Sequence, residues 1–230
     1  MYIATGTVTI HRKVVFEMKT IISGILAGIS VSIGGTVFLL CDSKITGAIF
    51  FSVGLFSICV FGFSLFTGRV CYVFDHDRSY AMKLPLIWIG NLIGALIMAF
   101  LEMQTRLAPQ LIEKAGTISQ TKLSQGYLSA FILAVLCDIM IYIAVEGYKN
   151  IPHEIGKYFA IFFGVTVFVI CGFEHCVANM YYFTVGRAWS GEAVLYLLVM
   201  TAGNAVGGIL IPLLRKAADN PGQRGGADKR

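Results

Sequence analysis

Charge is what this chain of 230 residues has least of: Asp, Glu, Lys and Arg make up only 13% of it. An ordinary soluble domain carries about 25%, so there is too little charge to wet a surface of this size. A soluble enzyme and a disordered chain are both excluded on that ground. No C-x-x-C occurs among the six cysteines, which fall mostly inside apolar stretches and read as small buried hydrophobes. Of the four histidines, His11, His76 and His153 fall outside the hydrophobic stretches, so only His175 stands at depth. Paired axial ligands for a haem are therefore missing. No basic stripe interleaves with exposed aromatics, which removes nucleic acid as a partner.

What is present is hydrocarbon. Hydrophobic residues are 57% of the chain and the mean hydropathy is +0.76. Six stretches are apolar enough to cross a bilayer core of about 30 Å as helices: 19–40, 46–64 with a continuation to 75, 84–103, 124–146, 156–184 and 192–214. The first is too long for a cleaved signal peptide and lacks a small-x-small site. The chain reads as an all-α membrane protein: one channel domain over 1–214, then a polar, disordered cytoplasmic tail over 215–230. With a cytoplasmic N-terminus, thirteen basic residues fall inside and five outside, together the 18 of the chain. The positive-inside rule therefore predicts both termini in the cytoplasm of a multi-pass protein of the cell (inner or plasma) membrane. The net charge of +5 reads as affinity for anionic lipid headgroups.

The two halves echo each other. Gly62-Phe63 returns as Gly172-Phe173, and Gly90-Asn91-x-x-Gly94 returns as Gly203-Asn204-x-x-Gly207. The offsets are 110 and 113 residues, so the register barely drifts. Each repeat holds three spans; an odd number forces the second repeat to enter from the opposite face. Such a 3+3 inverted repeat is the arrangement of transporters and channels with a site near the midplane. The second and fifth spans are both interrupted, at Ser64-Leu65-Phe66-Thr67-Gly68-Arg69 and at Gly172-Phe173-Glu174-His175. Broken helices at depth require protein or an aqueous cavity around them, so these interruptions mark the site. An intramembrane acid, Asp138, is functional by default; a hydrogen bond to loop backbone is its expected role. Glu174 points to a different helix face from His175 and is expected to be a structural partner. Lys122 stands at the start of the fourth span.

The segment Gly172-Phe173-Glu174-His175-Cys176-Val177-Ala178-Asn179-Met180 resembles the G-F-E-H-S-V-A-N-M signature of the formate/nitrite transporter family. Leu65-Phe66-Thr67-Gly68 matches that family's L-F-T-G loop, and Gly203-Asn204-x-x-Gly207-Gly208 its last helix. The resemblance covers all six spans. It implies an aquaporin-like fold, a homopentamer with one pore per protomer, and passage of small monovalent anions. Formate is the expected substrate, nitrite and hydrosulfide the alternatives, with no cofactor and no catalysis. His175 would be the central pore histidine and Thr67 its hydrogen-bonding partner. Phe51, Leu55 and Phe168 would form an outer constriction, Leu65 and Ile141 a cytoplasmic one. Lys122 would be the outer vestibule lysine and Asn204 a polar pore residue on the last span. Ser64, Asp138 and Cys176 depart from the family's acid, Asn and Ser, and the N-terminal region is short. A neutral-solute facilitator would share the fold, but the two N-P-A caps of aquaporins are absent.

A bare anion cannot cheaply pass two apolar rings, since the Born cost of a naked ion in a low-dielectric medium is on the order of tens of kcal/mol. A histidine between the rings offers a way round, because its reference pKa of about 6.5 lies near working pH. It can lend a proton so that the substrate leaves as neutral acid.

Overall fold

In a computed structural model the chain is described over residues 4–219, with side chains from Glu17 onward. The predicted disorder of the tail at 220–230 lies outside the described residues. Among the described residues eleven helices follow in chain order: α1 (Ala4–Leu40), α2 (Lys44–Phe51), α3 (Val53–Phe61), α4 (Phe66–Val70), α5 (Arg78–Ala81), α6 (Leu84–Glu102), α7 (Ala108–Ser124), α8 (Tyr127–Asn150), α9 (Glu154–Cys171), α10 (Cys176–Val185) and α11 (Gly191–Ala218). No strand occurs among the described residues. Six helical segments among the described residues are long and apolar enough to cross a membrane, in the places the hydropathy pattern predicts. The last runs on through Ala218, so the start of the predicted tail is helical. Arg215 and Lys216 are tethered there, to Tyr142 and Glu146 and to Asp75.

The repeat is visible in the packing. Helix α1 lies along α6 and α8 along α11, as the principal helix pairs of the two halves. Their crossings are equally tight. A Cβ on Gly94 would lie 2.1 Å from the Ile25 carbonyl oxygen, and one on Gly207 would lie 2.1 Å from that of Val135. Only glycine lets the backbones approach so closely, the usual device for packing helices in lipid.

Both interruptions are built alike. Helix α3 ends at Gly62 with φ 71° and ψ 26°, and α9 at Gly172 with φ 70° and ψ 27°. Left-handed backbone at a helix C-terminus favours glycine, which has no Cβ to clash. Each glycine is followed by the same return bond: the Phe63 amide donates to the Ile58 carbonyl and the Phe173 amide to that of Phe168, both at 3.0 Å. The chain then runs extended to Leu65 and to His175, where α4 and α10 begin.

One helix was not legible. Residues 104–123 look like a polar loop by hydropathy, yet α7 spans most of them. It buries Leu111, Ala115 and Ser119, a four-residue spacing that places one face inward. Lys122 consequently sits in the last turn of α7 and not at the start of the next span.

Candidate functional site

The two extended loops are held by two asparagines in matching ways. Asn91 on α6 accepts from the Phe66 amide (2.9 Å) and donates to the carbonyls of Gly24 (2.8 Å) and Ser64 (2.9 Å). Asn204 on α11 accepts from the Cys176 amide (2.9 Å) and donates to the carbonyls of Ala134 and Glu174, both at 2.8 Å. Both side chains are fully buried. These bonds meet the need of backbone groups freed where a helix breaks. Asn204 is thus a brace behind the loop and lines neither of the cavities described below. Asn91 belongs on the site list with it, and the repeated Gly-Asn motif was the signal that could have placed it there.

The braced loops bring Thr67 and His175 together. The Thr67 hydroxyl lies 3.0 Å from His175 Nε2, and both residues are buried. His175 is also the N-cap of α10: its Nδ1 accepts from the Ala178 amide at 3.1 Å. A backbone N–H is always a donor, so Nδ1 is unprotonated here and the ring is the neutral tautomer with its proton on Nε2. That proton is donated to Thr67. Phe168 stacks on the imidazole with ring centres 5.7 Å apart, and Phe51 meets Phe168 edge-on at 5.8 Å.

A cavity of about 360 Å³ opens on one side of this pair, lined by His175, Phe51, Phe168, Glu174, Lys122 and Lys44 among others. Lys122 does not stand free in it. Its Nζ lies 2.5 Å from Glu174, which also accepts from Gln125 and Asn179, each at 2.7 Å. Glu174 therefore has three donors, and the Lys122 charge is paired with its carboxylate. A second cavity of about 280 Å³ lies at the other end, lined by Leu55, Leu65, Arg69 and Lys149 among others.

Phe51 and Phe168 line the first cavity, and Leu55 lines the second together with Leu65. Ile141 is buried but lines neither cavity. One expected placement needs correction, that of Asp138. It is fully buried, lines neither cavity, and among the described residues neither carboxyl oxygen has a hydrogen-bond partner. The loop carbonyls it was expected to serve are taken by Asn204. It instead faces the bare backbone of Gly208, where a Cβ would lie 2.5 Å from its Oδ2.

Comparison with known proteins adds the lineage. The formate/nitrite transporter family model matches residues 3–217. A probable formate transporter of Methanothermobacter thermautotrophicus is 30% identical over 234 residues, covering 84% of this chain and 85% of the relative. The formate channel FocA of Haemophilus influenzae is 28% identical over 202 residues, covering 73% and 71%. Among solved structures, a pentameric formate channel with formate bound superposes with a TM-score of 0.74 at 24% identity, covering 88% of this chain and 96% of that one. An FNT family ion channel superposes with a TM-score of 0.77 at 21% identity, covering 93% of each. A family match over nearly the whole length, on a fold whose two broken helices meet at a buried histidine, leaves one assignment: the chain belongs to the formate/nitrite transporter family.

Proposed function

We propose that the chain forms a homopentamer, one pore per protomer, that conducts small monovalent anions across the cell membrane with both termini in the cytoplasm. Formate is the substrate, with nitrite and hydrosulfide the alternatives of the same class. The single observation that carries this reading is the Thr67–His175 pair, one polar contact set between two cavities behind apolar side chains. The similarity to formate channels supports the substrate class and the assembly.

His175 supplies the proton with which an anion becomes a neutral acid. In the resting state the ring is neutral, because its Nδ1 caps α10. An imidazolium needs a proton on that nitrogen, so charging the ring breaks the cap bond and sets a cation at the positive end of a helix dipole. Loss of a cap costs about 0.5–2 kcal/mol. That is small beside the tens of kcal/mol, on the order given by Born solvation, of carrying a bare anion through an apolar ring. An anion beside the ring offsets the lost cap by Coulomb attraction, so the ring takes a proton from the solution on the entry side only when substrate is there to receive it. Proton and anion then leave together, and the ring recaps the helix.

Flux in proteoliposomes tests this, comparing formate, nitrite and hydrosulfide in wild type and His175→Asn, with a melting curve for each protein. Wild-type formate flux should rise as external pH falls. His175→Asn should lose that response for formate and nitrite while staying folded, and lose less for hydrosulfide, whose conjugate acid is the weakest. Unchanged formate flux and pH profile in the variant would leave His175 as a wall residue. Native mass spectrometry in mild detergent should show five copies.

A further inference from the structure

Each half-helix is gripped, at a distance from the Thr67–His175 pair, by the long helices of the other repeat. On α10 the Tyr181 hydroxyl donates to Glu102 of α6 at 2.5 Å, and the other oxygen of that carboxyl accepts from the Thr36 hydroxyl of α1 at 2.5 Å. Just past α4 the Tyr72 hydroxyl donates to Glu146 of α8 at 2.9 Å, and the other oxygen accepts from Arg215 of α11 at 3.0 Å. The two grips stand at corresponding places in the frame. At the offset of 110 that relates the crossings at Ile25 and Val135, Thr36 answers to Glu146. At the offset of 113 that relates Asn91 to Asn204, Glu102 answers to Arg215. Arg215 also donates to the Tyr142 hydroxyl at 2.8 Å, while Lys216 donates to the Phe74 carbonyl at 3.1 Å and pairs with Asp75.

The two half-helices need these grips unequally. All ten residues of α10 are buried, so packing alone fixes it. Helix α4 has five residues, little more than one turn. The first amides and last carbonyls of any helix lack intrahelical partners, and the cost of nucleating a turn outweighs the few bonds so short a helix makes. Its position is therefore set from outside. Asn91 takes the Phe66 amide at its start, the Tyr80 hydroxyl donates to the Arg69 carbonyl at 2.8 Å, and Glu146 holds Tyr72 beyond its end. Tyr72 moves with α4, because its amide donates to the Arg69 carbonyl at 3.2 Å and the next amide, Val73, donates to Val70 at 3.1 Å. Thr67 is the second residue of α4, and Tyr72 lies about 7 Å further along the axis at the rise of a helix. A shift at Tyr72 is thus carried to Thr67.

We propose that Arg215 and Glu146 are positioning residues for the centre of the pore: through the Tyr72 hydroxyl they hold α4 at the height where the Thr67 hydroxyl meets His175 Nε2. Neither residue lines either cavity, so both act on the pair through Tyr72 and α4. Releasing the grip lengthens the contact at Nε2 and leaves Nδ1 on the Ala178 amide, because that cap belongs to α10. The placement of α4 stands on these contacts alone; its consequence for transport rests on the pore reading above.

Solid-state nitrogen-15 NMR reads both ring nitrogens of His175, in the full chain labelled at histidine and embedded in lipid; its two resonances are those missing from His175→Asn. Thr67→Ala removes the acceptor and gives the Nε2 position of the released ring. Tyr72→Phe and Arg215→Gln should each move Nε2 toward that position and leave Nδ1 in place. The double variant should move Nε2 by less than the sum of the two, because both act through one carboxylate. Arg215→Lys, which keeps the charge, should recover part of the wild-type position. In liposomes the maximal formate flux of Tyr72→Phe should fall about fivefold, the equivalent of one hydrogen bond of about 1 kcal/mol. Its half-saturating concentration should stay near that of wild type, since the Lys122 vestibule is untouched. An Nε2 resonance that stays in place in both variants, or an Nδ1 resonance that moves as far as Nε2, would overturn the positioning role. If Arg215→Gln does not fold, Tyr72→Phe, which loses one hydroxyl, carries the same test. The expected shifts in a chain without any wild-type formate flux would refute the pore reading and keep the grip; formate flux with unmoved resonances would do the reverse.

Discussion

If Asn204 is a brace, replacing it with leucine should cost stability in an amount countable from its bonds. The substitution keeps the volume and removes one acceptor and two donors, leaving the Cys176 amide and the carbonyls of Ala134 and Glu174 without partners. Interhelical hydrogen bonds in membrane proteins average about 0.6 kcal/mol each by double-mutant cycles, which sets a floor of roughly 2 kcal/mol for three. A buried group left unsatisfied costs about 1–3 kcal/mol, and three such groups at the middle of that range give about 6 kcal/mol. The expected loss therefore lies between about 2 and 6 kcal/mol. Asn91→Leu strips the same three kinds of bond from the other loop and should cost the same within error. Their effects on transport should differ, because Asn204 holds the loop that ends in His175 and Asn91 holds the loop that ends in Leu65.

Urea-in-detergent unfolding or a thermal melt followed by intrinsic fluorescence reads the stability, and proteoliposome formate flux at matched protein reads the transport. Asn204→Asp should fall between, keeping the acceptor and, when protonated, one donor. A melting temperature within a degree of wild type for Asn204→Leu would show that water replaces the side chain and that the loop is not braced. A large difference in stability between Asn91→Leu and Asn204→Leu would refute the equivalence of the two loops.

Two further outcomes follow from the same geometry. Lys122→Ala leaves the buried Glu174 carboxylate uncompensated beside the pore; flux should fall most at low substrate and low ionic strength, and the Lys122→Ala, Glu174→Gln double variant should recover part of it, whereas a solvated helix-end lysine would give unchanged flux in both. Gly208→Ala drives a methyl onto Asp138 Oδ2 and should destabilise by about 1–3 kcal/mol, the usual cost of overpacking. Adding Asp138→Ala should return at least half of that in a thermal melt, and no recovery would mean that Val70 and Cys71, the other neighbours of that site, carry the clash. Asp138→Asn alone should be mild in flux and in stability.

Hydropathy made the six spans legible, and the doubled Gly-Phe and Gly-Asn motifs made the two breaks and their relation legible, because each of those features is local. The Thr67–His175 contact came from the resemblance, and the structure places the pair at 3.0 Å. What escaped was either nonlocal or quiet in hydropathy. Helix α7 is polar on its outer face and buries only a narrow stripe, so an apolar window passes over it. The role of Asp138 is nonlocal: which side chain reaches the loop carbonyls depends on the packing of α8 against α11, and it is Asn204 that does.

The positions where the two repeats differ explain why this frame carries a pore at all. The groups that hold the loops are main-chain carbonyls, main-chain amides and one asparagine each, and duplication preserves them because any sequence supplies the main chain. The side chains at the loop ends are not duplicated. His175 answers to Leu65, Thr67 to Val177 and Glu174 to Ser64 at the constant offset of 110 residues. A histidine at both loop ends would set two titratable rings against each other, and one charge would then oppose the next. A threonine at both second positions would give one hydroxyl with no ring to meet. With one of each, the hydroxyl of the first repeat receives the proton held by the second. A symmetric scaffold therefore positions the loops, and its divergence at these side chains sets one imidazole, His175, against one hydroxyl, Thr67.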